Sequence, residues 1–599
     1  MKSVTILTIA AMAMAAATGC SHDNPTPSPE PPVKGVEFNE FGFTTTAPVT
    51  LSVDYGDMAG MPANVYFEVY DTCPVEETET AYAKIAGVEP LYAGYTDGQG
   101  RFEGTIELPA YIRKAYVLTP AFYARTLLEA TRSGDMLTAS AESGAPANAA
   151  PASTRAKEYH STAVERDGWK TWLGSYDTTY GSIGYEYDGD LKVKNYGALL
   201  KAHASVFDTT KKCPKEYRSS RDLYLEKSAE VVITLLGSNT CWNSSMGYYY
   251  YKTGNKPKSL ADANVVMIFP NTQDGRWSNS PWESRLYQGV ERGTAVQLIY
   301  YPEIADGSKA GATTVFPADY RIGFVLATNA WTNRLRAGDK KYRAATSDGL
   351  SVNNNGVAYQ TPRTAVFRYT DKKSGINSVL FSFEDHTNDE NFSDVVFTMT
   401  SNPVDAVTDI PSVDVNDGKK TTNVLRGIYA FEDLWPSRGD YDMNDVMVRS
   451  DYEKVFNEKG VFEESFMLKT FANFAGNANE LAVTLTGAAA DAKLEFSVRK
   501  PGAETFEAAD FERDGKVVLL TPDVKETTGA TYRITTKYDA PVAEAQAGTI
   551  KPFIYRTDRD GLTAGKRWEV HIPYEAPTAR AEMLSRHPFF MQETEQYNG

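Results

Sequence analysis

The sequence predicts a mainly β protein: tandem β-sandwich-like domains with few short helices. Three observations predict it. Strand-like runs are far commoner than long amphipathic helical patterns. Tyr (36) and Phe (27) far outnumber Cys (4) and His (6). At 599 residues the chain is too long for one core, so roughly three or four domains are expected. The net charge of −17 argues against a nucleic-acid or anionic-membrane partner held by charge. No internal apolar run approaches the length of a membrane span.

Residues 1–20 read as a targeting segment. Lys2 supplies the positive region, Val4 to Ala17 the apolar one, and Ala17-Thr18-Gly19-Cys20 resembles a bacterial lipobox. That resemblance implies cleavage before Cys20 and acylation of its sulfur, with outer-membrane lipid as the partner. Several acyl chains on one residue anchor stably where one is marginal. Ser21 favours the outer membrane by the same resemblance. Residues 21–36 contain NPTPSPEPPVKG, a Pro-rich tether expected to be extended and stiff.

Residues 37–135 alternate in strand fashion (VTLSVDY, NVYFEVYD, FEGTIELP), with a turn at Thr96-Asp97-Gly98-Gln99-Gly100. They resemble prealbumin-like sandwich modules, which serve as spacers. Residues 136–164 are rich in Ala, Pro and Ser and read as a disordered linker. Residues 165–402 form a second β-rich domain, with strands expected near 229–237, 264–270, 295–302, 321–331, 365–371 and 378–385. Cys213 and Cys241 are candidates for a disulfide in an oxidising compartment, and closing that loop would contribute about 3 kcal/mol. The spacing does not show that they meet. Cys73 reads as a buried free thiol. Residues 403–420 form a Pro- and Asp-rich linker, and 421–599 a third β domain with strands near 480–487, 492–500, 516–522, 531–539 and 566–573.

The most specific internal signal is a repeated acidic loop. Phe383 to Phe397 reads FEDHTNDENFSDVVF, and Phe431 to Val448 reads FEDLWPSRGDYDMNDVMV. Aligned from the right, Asp389 matches Asp440, Asn391 matches Asp442, Ser393 matches Asn444 and Asp394 matches Asp445. The inserts differ by three residues. Hard cations such as calcium take six to eight oxygens from groups of this kind. Asp440, Asp442, Asn444 and Asp445 are the leading candidate ligands, completed by Glu432 and Asp433. Glu384, Asp385, Asp389, Asn391 and Asp394 form the thinner first set, expected to bind more weakly. A loop leading into a strand, with no Gly at loop position six and Asp451 at position twelve, is not an EF-hand. The alternative is that these are solvated Asx-turn residues.

The second loop resembles the signature of LruC-domain lipoproteins of Bacteroidetes, and the first, with IGFVLATNAW before it, resembles the uncharacterised domain preceding LruC. The chain thus resembles domains of unknown function 4114 and 4842 in tandem. The resemblance spans roughly residues 180–599. It implies a mainly β, surface or outer-membrane lipoprotein without established enzyme activity. The family pattern ordinarily continues past EVHIPYEAPT, so a truncated or divergent third domain is expected.

No H-E-x-x-H, G-x-S-x-G, P-loop or Rossmann fingerprint occurs. The six His residues show no ligand spacing. The sequence is therefore read as a non-enzymatic, calcium-stabilised surface protein for adhesion or surface interaction with a glycan or protein partner. The alternative is a glycan-binding lipoprotein of a polysaccharide-uptake system, with Trp242, Tyr248 to Tyr251, Trp277 and Trp282 as an aromatic platform. Against it, alternate tyrosines of a strand fill a core.

Overall fold

The computed structural model describes residues 46–582, apart from 57–62, 78–81, 142–158, 161–168, 178–179, 274–288, 332–342, 354, 372–374, 386–388, 413–417, 436–441 and 573–574. The expected targeting segment, its Cys20 and the expected tether lie outside the described residues. The fold is mainly β, in tandem sandwich-like units. No helix among the described residues is long and apolar enough to cross a membrane.

In the first unit, alternation puts Val49, Leu51 and Val53 on the buried face of strand Thr46–Asp54. Seven strands form its sheet, with Thr46–Asp54 between Arg101–Pro109 and Met136–Ser140. The pairing with Met136–Ser140 is parallel. That last strand lies inside the stretch expected to be a disordered linker. Leu137 and Ala139 alternate inward there, fully buried, a two-residue apolar signal hidden by the small-residue composition around it.

The middle unit is a sandwich of a six-stranded and a seven-stranded sheet. Strands observed at Ala229–Ser238, Val265–Phe269, Ala295–Gln297, Tyr320–Ala327, Thr364–Asp371 and Ile376–Phe383 fall within or overlap the stretches expected to be strands. Phe324 of one sheet meets Phe381 and Phe397 of the other at ring distances of 5.1 and 5.0 Å, closing the core. The expected 403–420 linker holds a short strand, Val407–Thr408, which pairs with Leu223–Leu225 of this unit. The third unit stacks a six-stranded sheet, from Lys420–Phe431 to Glu507–Ala508, on a five-stranded one.

The three units share cores. Helix Tyr196–Val206, N-capped by the Asn195 side chain, buries Leu199 and Leu200 in a cluster joining the first unit to the outer face of Thr364–Asp371 and Ile376–Phe383. Tyr66 and Ala93 of the first unit pack with Phe456 and Val461 of the third. The Tyr66 hydroxyl also lies 2.6 Å from Thr422 Oγ1.

Cys213 and Cys241 are not joined by a disulfide. Cys213 is held in the shared core beside Phe207, its amide donating to the Glu390 carbonyl at 2.7 Å. Cys241 lies beyond the end of strand Ala229–Ser238. Burial pushes the Cys213 thiol up to about 12, against the nearby Arg218. Cys73 is a free thiol, half-buried.

Candidate metal centre

Both acidic stretches fold as the connection of an antiparallel hairpin. Phe383 pairs with Val395 across one and Phe431 with Val446 across the other, so Glu-Asp leaves one strand and Asp enters the next. The two loops share backbone geometry at the matching positions that are described. The Asp385 amide donates to Asp394 Oδ2 at 2.6 Å, and the Asp433 amide to Asp445 Oδ2 at 2.8 Å. The Ser393 amide donates to Asn391 Oδ1 at 2.7 Å, and the Asn444 amide to Asp442 Oδ1 at 3.3 Å. Phe392 and Met443, which occupy matching positions, have left-handed φ of 58° and 55°. Such a backbone is costly for residues with these side chains, and it recurs at the same place.

In the first loop one oxygen each of Glu384, Asp389 and Asp394 lies within 4.8 Å of the others. Oxygens about 2.4 Å from one calcium ion can stand no more than about 4.8 Å apart, so the cluster has the right span. Arg363 is buried against Glu384, its Nη2 3.2 Å from Oε1, and supplies part of the countercharge. Burial first, and then Asp389, push Glu384 well above the usual carboxylate range. Burial and then the neighbouring Asp385 do the same to Asp394. Asp385 is pushed up to about 7 by burial, against a hydrogen bond from Thr240. Buried like charges in one place are relieved by protons or by a cation. Ser393 Oγ and Asp389 Oδ1 find no hydrogen-bond partner among the described residues.

In the second loop Glu432, Asp433 and Asp445 converge, again within 4.8 Å. Asp433 Oδ2 accepts from Asn477 Nδ2 at 3.0 Å and Asn479 Nδ2 at 2.8 Å. Asn479 is fully buried, and its Oδ1 has no hydrogen-bond partner among the described residues.

The structure thus brings together three predicted residues in each loop and redirects others. Asp442 is exposed and accepts from the Asn444 side chain. Asn391 donates to Asp389 and to the Thr209 carbonyl, and Asp385 accepts from Thr240. Asp440 lies outside the described residues. Sequence reading missed Arg363, Asn477 and Asn479. The run NANE signals a turn, but nothing in it points to Asp433.

The tyrosine run lies in strand Ser245–Lys252 and builds the core. Tyr248 and Tyr249 are fully buried, Tyr250 donates to the Tyr301 carbonyl at 2.8 Å and Tyr251 to Asp222 at 2.7 Å. Trp277 and Trp282 lie outside the described residues.

Two family models match parts of the chain. One, described as Domain of unknown function (DUF8469), matches residues 47–141. No curated protein and no solved structure matches. The other, described as Domain of unknown function (DUF4114), matches residues 316–402, ending on the strand that follows the first acidic loop and supporting that part of the family resemblance.

Proposed function

We propose that this chain is a non-enzymatic, lipid-anchored surface protein whose β units are stabilised by calcium at the two acidic loops, acting in adhesion or surface interaction. The observation that carries the reading is the shared geometry of the loops, each closing three carboxylates onto one point. Carboxylate and amide oxygens suit calcium, whereas zinc sites draw on His and Cys. The anchor rests on Ala17 to Cys20, and an LruC-type assignment of the third unit on the motif from Phe431 to Val448. The glycan alternative loses its main support, because the tyrosines proposed as a platform are engaged in the core.

Purified protein tests the cation reading: calcium raises the melting temperature over EDTA, and Asp433→Asn removes part of that gain. Equal melting in calcium and EDTA refutes it. Protease treatment of intact cells tests surface placement, since a protein that survives there does not face outward.

A further inference from the structure

The first acidic loop is tied to the first unit through a strap, residues 207–218. On the loop side, the Cys213 amide donates to the Glu390 carbonyl at 2.7 Å, and Asn391 Nδ2 donates to the Thr209 carbonyl at 3.2 Å. Arg218 fastens the same end, donating to the Cys213 carbonyl at 2.9 Å and to Glu390 Oε2 at 3.3 Å. On the other side, the Thr209 amide donates to the Pro120 carbonyl at 3.0 Å, and the Thr210 carbonyl accepts from the Lys84 amide at 3.3 Å. Pro120 and Lys84 belong to the first unit. Phe392 completes the tie. It is fully buried in the cluster that also holds Phe122 of the first unit and Phe207 of the strap. Its counterpart in the second loop, Met443, is 39% exposed.

The tie depends on an unfavourable backbone. Glu390 and Phe392, on either side of Asn391, have left-handed φ of 50° and 58°. In that conformation the Glu390 carbonyl meets the strap, Phe392 enters the shared core, and Glu384, Asp389 and Asp394 converge within 4.8 Å. Ser393, fully buried between Phe392 and Asp394, leaves its Oγ without a hydrogen-bond partner among the described residues. From this coincidence, resting on the cation reading above, we infer that an ion at the first loop is a clamp: it holds the first unit against the middle unit, and its loss loosens them. With the site empty, the converged carboxylates repel one another and burial disfavours their charge, so the loop gains by spreading. Spreading withdraws the Glu390 carbonyl and Phe392 from the strap. An ion that binds only the converged loop shifts this balance by roughly a hundredfold when present at 100 times its dissociation constant.

Hydrogen exchange followed by mass spectrometry, on the full chain in calcium or EDTA, reads the strap directly. The chain carries Asp433→Asn, so that the first loop is the one left intact. Peptides covering residues 207–218 and 82–86 contain the Thr209, Cys213 and Lys84 amides. Calcium is expected to slow their exchange by about tenfold or more, and to slow strand Ser245–Lys252, in the other sheet of the middle unit, by less. Adding Asp394→Asn abolishes the slowing. Phe392→Ala and, separately, Arg218→Gln still bind one calcium by titration but lose most of the slowing over residues 82–86. Unchanged strap exchange while calcium still raises the melting temperature overturns the clamp alone. Equal slowing in Ser245–Lys252 assigns the effect to overall stability and overturns it too. Slowing that persists in Asp394→Asn, or that both Phe392→Ala and Arg218→Gln retain in full, does the same. Absence of bound calcium together with unaltered melting overturns the cation reading beneath it.

Discussion

Replacing Asp389 by Asn has opposite effects with and without a cation. Asp389 raises the protonation tendency of Glu384, Asp385 and Asp394 together, so its charge opposes three buried neighbours. Two unit charges 4.8 Å apart repel by about 3 kcal/mol at an effective dielectric of about 20. Proton uptake by the neighbours removes part of that, leaving a relief on the order of 1–2 kcal/mol at pH 8. A unit of this size gains about 2–4 °C per kcal/mol, so Asp389→Asn melts several degrees higher than the parent chain in EDTA. Calcium at 100 times its dissociation constant stabilises the parent chain by about 2.7 kcal/mol, and the variant forfeits most of this. Scanning calorimetry in EDTA and in calcium therefore shows the two melting orders crossing. Parallel displacement under both conditions refutes this and makes Asp389 an ordinary turn residue held by its hydrogen bond from Asn391.

Three further outcomes follow from the same geometry. The raised carboxylates favour the fold below their unfolded value near pH 4, and that contribution is lost as pH rises through the folded values, about 7 for Asp385; the calcium-induced gain in melting temperature is therefore larger at pH 8 than at pH 5. Burial holds His203 down to about 3, so the stability of its neutral ring is present above about pH 6.5 and is lost as pH falls toward 3. The parent chain minus His203→Gln accordingly shows an extra loss approaching about 1.4 kcal/mol per pH unit across that window in denaturant titrations. Phe456→Ala strips the ring that Tyr66 and Tyr95 meet at 6.0 and 5.4 Å; a loss of about 3 kcal/mol and faster proteolysis between the first and third units are expected.

The strand pattern was legible where apolar residues run together, as in Ala229–Ser238, or alternate with polar ones, as in the first half of Thr531–Val542. Short strands inside linker-like composition, Met136–Ser140 and Val407–Thr408, were not, because two apolar residues among Ala, Ser and Pro give no period. The repeat of the acidic loops was legible from spacing alone. Which oxygens converge was not. The D-x-D pattern suggested Asp442 on an extended backbone, but left-handed Met443 breaks the alternation, and Asp442 is exposed. Asn479 reaches Asp433 from 46 residues away, and Arg363 reaches Glu384 from a neighbouring strand's start; neither proximity leaves a trace in local spacing. The shared cores at Phe392 and Tyr66 likewise depend on how units pack, which alternation does not encode.

On the cation reading, each acidic loop holds one ion. Isothermal titration of calcium into chelator-treated full-length protein measures it directly. Two bound ions per chain are predicted, one for each converging cluster, falling to one in Asp433→Asn and to none when Asp394→Asn is added. No heat and no bound calcium, or a stoichiometry that both substitutions leave unchanged, contradicts the account.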